Sequence, residues 1–532
     1  MATDRVFVVG SGPSGVTAAY ALLEQGVKVC MLDVGLTVEP ERYEQVAKII
    51  TDGKAEEIRA LLNDGTFDIT DPTKFYRKLA YGSDFPYRGT DAFIGCHSGQ
   101  HEIHSSFAMG GLSNVWGGSV MPFSDDDIRD WPLDRGSLAP HYRAVHSFLS
   151  LSGTDDALAT QFPFFSDPVA PFTLSNEAKS LLAALHFQKE RLAEDGIYAG
   201  RSRIAVGTSP GLKEGSDYLP ELLIDGVTNG AIFNAAEIVK EMRHHPRFQY
   251  INQTTVTKFN ETTEGVRIYT LRGKNEEPEV FEGSRLFLAA GVMPTARIVL
   301  SSLKAYNRTL HLKQSLHFLF PVLHFLPGLK HSGDRASSLA EIFIALQDTD
   351  RTGYWSFMSL YRFSGFFMDR IRDRYGSLAT GIGALAGSPL LHLFICQGYL
   401  HSSLSPKMTL TMDRADNGQG GEIHITPHPH GPGKKTARRL IHRLSRKVRS
   451  SRIFPIGTAL DANIPGRGNH LGGTFPMRDK PGDLECDTLG RPKGLSKIHI
   501  VDASVLPSIP ATTITFGLMA NAHRIAKASS TL

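Results

Sequence analysis

Four apolar residues, Val6 to Val9, run into Gly10-Ser-Gly12-Pro-Ser-Gly15, and apolar positions then recur at helical spacing through Leu23 until Gly26 ends them. The run predicts a short buried strand and the recurrence predicts a helix packed on it. Val27 to Leu32 is a second apolar run, and it stops at Asp33. Near the far end of the chain, Ile498 to Val501 reads as another short buried strand; Asp502 follows, and the chain turns through Pro507 and Pro510 into a helix. Between these ends, a helical stretch is expected around Ala47 to Leu62. Trp131-Pro132 leads a loop into a helix with apolar positions Leu138, Tyr142, Val145 and Leu149. Phe233-Asn234 starts a helix to Met242, Phe248 to Phe259 alternates as one strand, and Val266 to Leu271 and Arg285 to Ala289 continue the sheet.

Residues from about 304 to 455 are patterned differently. Leu316-His-Phe-Leu-Phe-Pro-Val-Leu-His-Phe-Leu and Tyr354-Trp-Ser-Phe-Met-Ser-Leu-Tyr fit strands of an antiparallel sheet. No Asp, Glu, Lys or Arg occurs from Tyr375 to Pro406, but Gly376, Gly381, Gly383, Gly387 and Pro389 interrupt a run that would need ~20 mainly apolar residues to span a bilayer. A buried loop and strand is the reading, with contact to a membrane surface or an apolar substrate as its alternative. Lys434 to Arg452 carries nine basic residues, with Ala437, Leu440, Ile441, Leu444 and Val448 on one helical face. A solvated helix docked by that stripe is expected, against an anionic partner as the alternative.

The length of 532 residues exceeds what one core supports, so two interleaved domains are expected. A composition of 41% apolar and 21% charged residues is that of a globular chain, and a net charge of +3 gives no electrostatic case for nucleic acid; a small-molecule substrate is expected instead. Cys30, Cys96, Cys396 and Cys486 lie far apart without metal or redox spacing, which fits a reducing compartment. A strand begins within five residues of the start, leaving no room for a signal peptide, and a cytoplasmic location is expected. Cys96, His97, His101 and His104 lack a firm ligand spacing, so a polar loop is preferred there over a metal site.

The glycine loop carries the first chemistry. Gly10, Gly12 and Gly15 provide a tight turn, close approach to a pyrophosphate and close helix packing, and Ser14 lies at the helix N-terminus, whose free N–H groups favour phosphate. Asp33 follows the second strand at the distance where a carboxylate accepts from adenosine ribose hydroxyls. Strand, loop, helix and carboxylate together predict dinucleotide binding without separating FAD from NAD. Phe107-Ala-Met-Gly110-Gly111-Leu-Ser113-Asn114-Val115-Trp116-Gly117-Gly118 places two glycine pairs around small polar groups, a pattern able to lie flat against a planar ligand. His470 stands among Gly466, Gly468, Gly472 and Gly473, which suggests an exposed, usable imidazole.

With these three segments the chain resembles the glucose-methanol-choline family of FAD-dependent alcohol oxidoreductases. The resemblance covers the FAD-binding part and is faint elsewhere. It implies an α/β architecture: a Rossmann-like FAD domain with a parallel sheet, from residues 1–150, 226–303 and 456–532, interleaved with an α+β substrate domain on an antiparallel sheet, from 151–225 and 304–455. It implies that the segment from Gly110 to Gly118 runs along the flavin. Some members attach the flavin through a histidine where this chain has Val115, so a non-covalent FAD is implied. The strand with Val256 would pass near the adenine, Ala290 and Gly291 would form a second strand-to-helix turn, and Asp502 and Thr515 complete the implied cofactor contacts.

His470 in the His-Leu-Gly-Gly-Thr pattern matches the family's active-site base, and Thr513 stands where the family usually has His or Asn. That is a departure, because a threonine hydroxyl bonds oxygen but takes up no proton near neutral pH. The expected activity is oxidation of a CH–OH group on a sugar, polyol or hydroxylated natural product. Proton abstraction falls to His470 and hydride goes to the flavin, with oxygen, a quinone or a protein left open as the electron acceptor. A lyase of the same fold with a redox-silent flavin, and a flavin-bound interaction protein, are the rival readings.

Overall fold

The computed structural model describes residues 4–52, 81, 83–94, 103–206, 232–326, 339–363, 391–414, 420–428, 431–462 and 465–529. Its first layer is a five-stranded parallel sheet in the order Ile498–Ile500, Arg285–Leu288, Arg5–Val9, Lys28–Leu32, Phe248–Ile251. After their exposed first residues, Arg5 and Lys28, the strands Arg5–Val9 and Lys28–Leu32 are apolar and buried, because the helix Pro13–Glu24 and the strands Thr254–Glu261 and Glu277–Gly283 all pack against them. The helix Pro13–Glu24 packs against Thr515–Ser529, which also packs against Arg135–Val145. The direction of strand addition reverses between Arg5–Val9 and Arg285–Leu288, and ligands of such sheets bind at that reversal, outside the carboxyl ends of the strands.

The second main layer is a six-stranded antiparallel sheet in the order Ile453–Pro455, Leu316–Phe325, Leu391–Leu400, Trp355–Arg362, Ile342–Gln347, Ile197–Arg201. The antiparallel expectation for both aromatic runs therefore holds, and Leu391–Leu400 supplies the strand expected from the uncharged stretch; residues 375–390 lie outside the described residues. One face of this sheet, with Phe318, Phe320, Ile344 and Met358, buries against the helices Asn176–His186 and Gly433–Val448. Ala437, Leu440, Ile441, Leu444 and Val448 are the docked stripe, as expected. Basic residues of that helix are engaged within the protein: Arg439 grips the buried Asp348 at 2.6 and 2.9 Å, and Lys447 pairs with Asp195 at 2.6 Å. The opposite face carries Phe343, Phe357 and Tyr399 and meets Met121 and Ala511 from the other layer.

Two sequence expectations are corrected. Phe248 to Phe259 is not one strand: Gln253 adopts φ +51, so Phe248–Ile251 stays in the parallel sheet and Thr254–Glu261 leaves it. Thr254–Glu261 pairs with Val266–Arg272 and then Glu277–Gly283 in a separate three-stranded sheet, so Val266 to Leu271 does not continue the parallel one. Val256, on the departing strand, is buried in the core that the three-stranded sheet shares with the parallel one. The left-handed residue follows the exposed Asn252, and these two consecutive polar positions mark a turn that the reading of Phe248 to Phe259 as one strand passed over. The helix expected from Ala47 begins earlier, as Pro40–Asp52, and 53–62 lie outside the described residues. Among the described residues no helix is long and apolar enough to cross a membrane.

Candidate functional site

The carboxyl end of Arg5–Val9 delivers the chain into Gly10, whose φ of +93 a side chain would strain and whose added Cβ would lie 2.5 Å from the Ala289 carbonyl oxygen. A Cβ on Gly15 would overlap the Gly10 carbonyl oxygen. Gly12 differs: nothing in the protein lies within 4 Å of a Cβ there, and the same holds at Gly291 across the reversal point. Gly10 and Gly15 thus serve the fold, while Gly12 and Gly291 leave open backbone where a ligand can approach. Ser14 is buried in the first turn of Pro13–Glu24, whose N–H groups aim at this opening.

Asp33, at the end of the neighbouring strand, is nearly enclosed. It accepts from Ser11 Oγ and, at 2.9 Å, from the Tyr250 hydroxyl, a residue 217 positions away. Burial pushes its pKa up to about 6, against the pull of those hydrogen bonds. The raised value means that the folded state holds this proton more tightly than the unfolded chain, so ionisation costs stability as pH rises through about 6. Asp33→Asn is therefore expected to stabilise the ligand-free protein by about 3 kcal/mol at neutral pH. The gain should shrink as pH falls below about 6. Thermal unfolding across pH checks this, and parallel curves for the two proteins would refute it.

The segment from Gly110 to Gly118 lies directly on the glycine loop. The Gly110 amide donates to Ser11 Oγ at 2.8 Å, and a Cβ on Gly111 would sit 3.3 Å from the Gly12 Cα. Its polar side chains turn into the protein. Ser113 Oγ donates to the Gly110 carbonyl at 2.6 Å and accepts from the Ala235 amide, Asn114 Nδ2 donates to the Met109 and Gly111 carbonyls, and Trp116 Nε1 donates to the Phe233 carbonyl at 2.8 Å. Gly117 is partly exposed and Gly118 is buried between Ile204 and Ile232. The segment offers a ligand its backbone more than its side chains, which alters the expectation that small polar groups lie on the ligand.

Asn234 holds that segment and went unnoticed in the sequence beyond its place at a helix start. It caps Ala235–Met242 through the Ala236 amide and donates to Asn114 Oδ1 at 3.1 Å. Asn234→Ala is expected to cost about 1–2 kcal/mol. It should also lower the amount of ligand retained on purification; an unchanged melting temperature would contradict the bracing role.

Asp502 stands at the end of the outermost strand, where one oxygen accepts from the Gly291 amide at 3.0 Å and from Thr295 Oγ1 at 2.5 Å, and the other from the Ser504 amide at 2.9 Å. Burial holds its pKa above the usual carboxylate value. The carboxylate fixes the turn at Ala290–Gly291, and Thr295 works through it. Thr515 opens the last helix and is partly exposed.

His470 immediately precedes the short strand Leu471–Gly472, which pairs with Leu310–Gln314, and its carbonyl accepts from the Ser315 amide at 3.0 Å. Its ring stacks on Tyr399 with centroids 4.5 Å apart, and Nδ1 is enclosed without a hydrogen-bond partner among the described residues. Burial pushes the imidazole down to about 4, so it is neutral at physiological pH. The surrounding glycines do not simply clear space: Gly468 lets the chain pass Tyr399 and His317, and Gly472 lies against the Ala503 carbonyl. The loop with Thr513 reaches the same region, since Ala511 shares an apolar cluster with Tyr399. Thr513 is buried and its Oγ1 has no partner among the described residues.

Cys96, His97 and His101 lie outside the described residues, His104 packs edge-on against Tyr87, and among the described residues no cluster could hold a metal.

No protein-family model matches the sequence. No curated protein matches it either. The fold, however, matches a solved structure, pyridoxine 4-oxidase from Mesorbium loti, with a TM-score of 0.60 over 99% of each chain at 14% identity. The α/β architecture implied by the sequence resemblance is therefore the one this chain adopts.

Proposed function

We propose that the chain is an FAD-dependent oxidoreductase of the glucose-methanol-choline type that oxidises a CH–OH group, with His470 taking the hydroxyl proton. The observation that carries the reading is a neutral, half-buried imidazole with an enclosed, unpartnered Nδ1, set where the antiparallel sheet meets loops from a dinucleotide fold. The residues fit the cofactor: Gly12 and Gly291 leave open backbone, the N-terminus of Pro13–Glu24 suits a pyrophosphate, and Asp33 suits a ribose. Bound FAD would supply the hydride acceptor. Val115, buried and without a nucleophile, supports non-covalent binding.

His470 would orient the hydroxyl and accept its proton, and the enclosing layers would keep water from competing. Thr513 would bond the substrate oxygen. Pyridoxine, named in the structural neighbour, belongs in the first panel beside sugars, polyols and benzyl alcohol. Anaerobic mixing with that panel is the test. Loss of the oxidised-flavin band supports oxidation, product without bleaching means a lyase, and neither outcome across the panel favours an interaction protein.

A further inference from the structure

Thr513 leaves the site one group short, and the structure places another imidazole beside His470. His317 lies on Leu316–Phe325 directly opposite Tyr399 of Leu391–Leu400, so the two side chains share a sheet face. Their rings meet edge to face with centroids 5.3 Å apart, and the same Tyr399 ring stacks on His470 at 4.5 Å. Gly468 joins the three, because a Cβ there would lie 2.9 Å from the Tyr399 ring and 3.2 Å from the His317 Cβ.

His317 is buried, and its Nδ1, like that of His470, has no partner among the described residues. Leaving a buried polar atom unpaired costs ~1–3 kcal/mol, so two such atoms around one tyrosine mark a place where a ligand or bound water completes the bonding. Burial, and secondarily the charge His470 can carry, push His317 down to about 3, so both rings are neutral at physiological pH. The Tyr399 hydroxyl is held by Gln397, whose Nε2 donates to it at 2.5 Å.

We propose that His317 is a second catalytic imidazole, which hydrogen-bonds the substrate oxygen beside His470 and does the work that the usual residue at position 513 would do. The proposal rests on the oxidoreductase reading above. The substrate O–H bond would break with its proton passing to His470, the hydrogen on the same carbon would leave with its bonding pair as hydride, for which bound FAD would be the acceptor, and a C=O bond would form. Through this His317 neither gains nor loses a proton; its N–H donates to the oxygen as that oxygen becomes a carbonyl.

The test uses the purified flavin-containing protein mixed anaerobically with pyridoxine and with benzyl alcohol. His317→Gln and His317→Ala are expected to stay yellow and to lower the limiting rate of flavin reduction ~10²-fold. Added imidazole should restore part of the rate in the alanine variant, and Thr513→Ala should lose less than ~10-fold. A yellow His317→Gln that reduces at the wild-type rate overturns the proposal, as does an alanine variant that imidazole fails to rescue, since that marks a packing role. If the glutamine variant loses its flavin, the imidazole response of the alanine variant decides. Failure of both alcohols, and of the wider panel, to bleach the wild-type protein sinks the oxidoreductase reading instead.

Discussion

His470→Ala should leave the protein yellow and slow flavin reduction by an alcohol substrate ~10²- to 10⁴-fold, the usual contribution of a positioned general base. The side chain makes no hydrogen bond through Nδ1, and its main contact is the stack on Tyr399, so truncation removes the base while leaving the backbone pairing of Leu471–Gly472 in place. The pH dependence is a second readout. An ordinary imidazole would impose an acid limb near pH 6.5. Here burial holds the ring down to about 4, so the wild-type rate should be flat from about pH 5 to about pH 8 and fall only as pH drops through about 4. Rapid-mixing spectrophotometry measures both effects. An unchanged rate in the variant would remove His470 from the mechanism, and an acid limb near 6.5 would show that burial does not hold the base down.

Gly15→Ala is expected to have the largest effect on the folded protein. The added methyl would overlap the Gly10 carbonyl oxygen, a backbone atom with no rotamer by which to yield. Strand Arg5–Val9 and helix Pro13–Glu24 would have to separate, and forced overpacking of this kind costs typically ~1–3 kcal/mol or more. Colourless protein with a lowered melting temperature is the expected result. Gly12→Ala separates folding from binding, because nothing in the protein lies within 4 Å of its new methyl. That variant should melt like ligand-free wild type yet hold less flavin. A yellow Gly12→Ala protein with wild-type affinity would mean that the pyrophosphate does not sit at this turn.

Much of the dinucleotide half was legible because its signals are local. Val6 to Val9, the three glycines, the helix and Asp33 all fall within about 30 residues, and each expresses a short-range rule of backbone conformation or burial. The break at Gln253 was hidden for the opposite reason: its local mark is a mere pair of polar residues, Asn252 and Gln253, and which sheet each flanking strand joins is settled by distant partners. At His470 the motif singled out a candidate but misjudged the glycines, which answer to Tyr399, His317 and Ala503 rather than to an open approach.

What the sequence by itself determined, then, is the strand-turn-helix that can hold a dinucleotide, the antiparallel character of the middle of the chain, and His470 as the candidate base. Only the tertiary structure decided how that base is surrounded. Tyr250 reaches Asp33 across 217 residues, Asn234 braces Asn114 across 120, and His317 meets Tyr399 through strand register. Register between distant strands is set by the packing of whole sheets, and no local periodicity encodes it. The pairing of His317 with Tyr399 therefore appears only once the two strands, far apart in the chain, lie side by side in the antiparallel sheet.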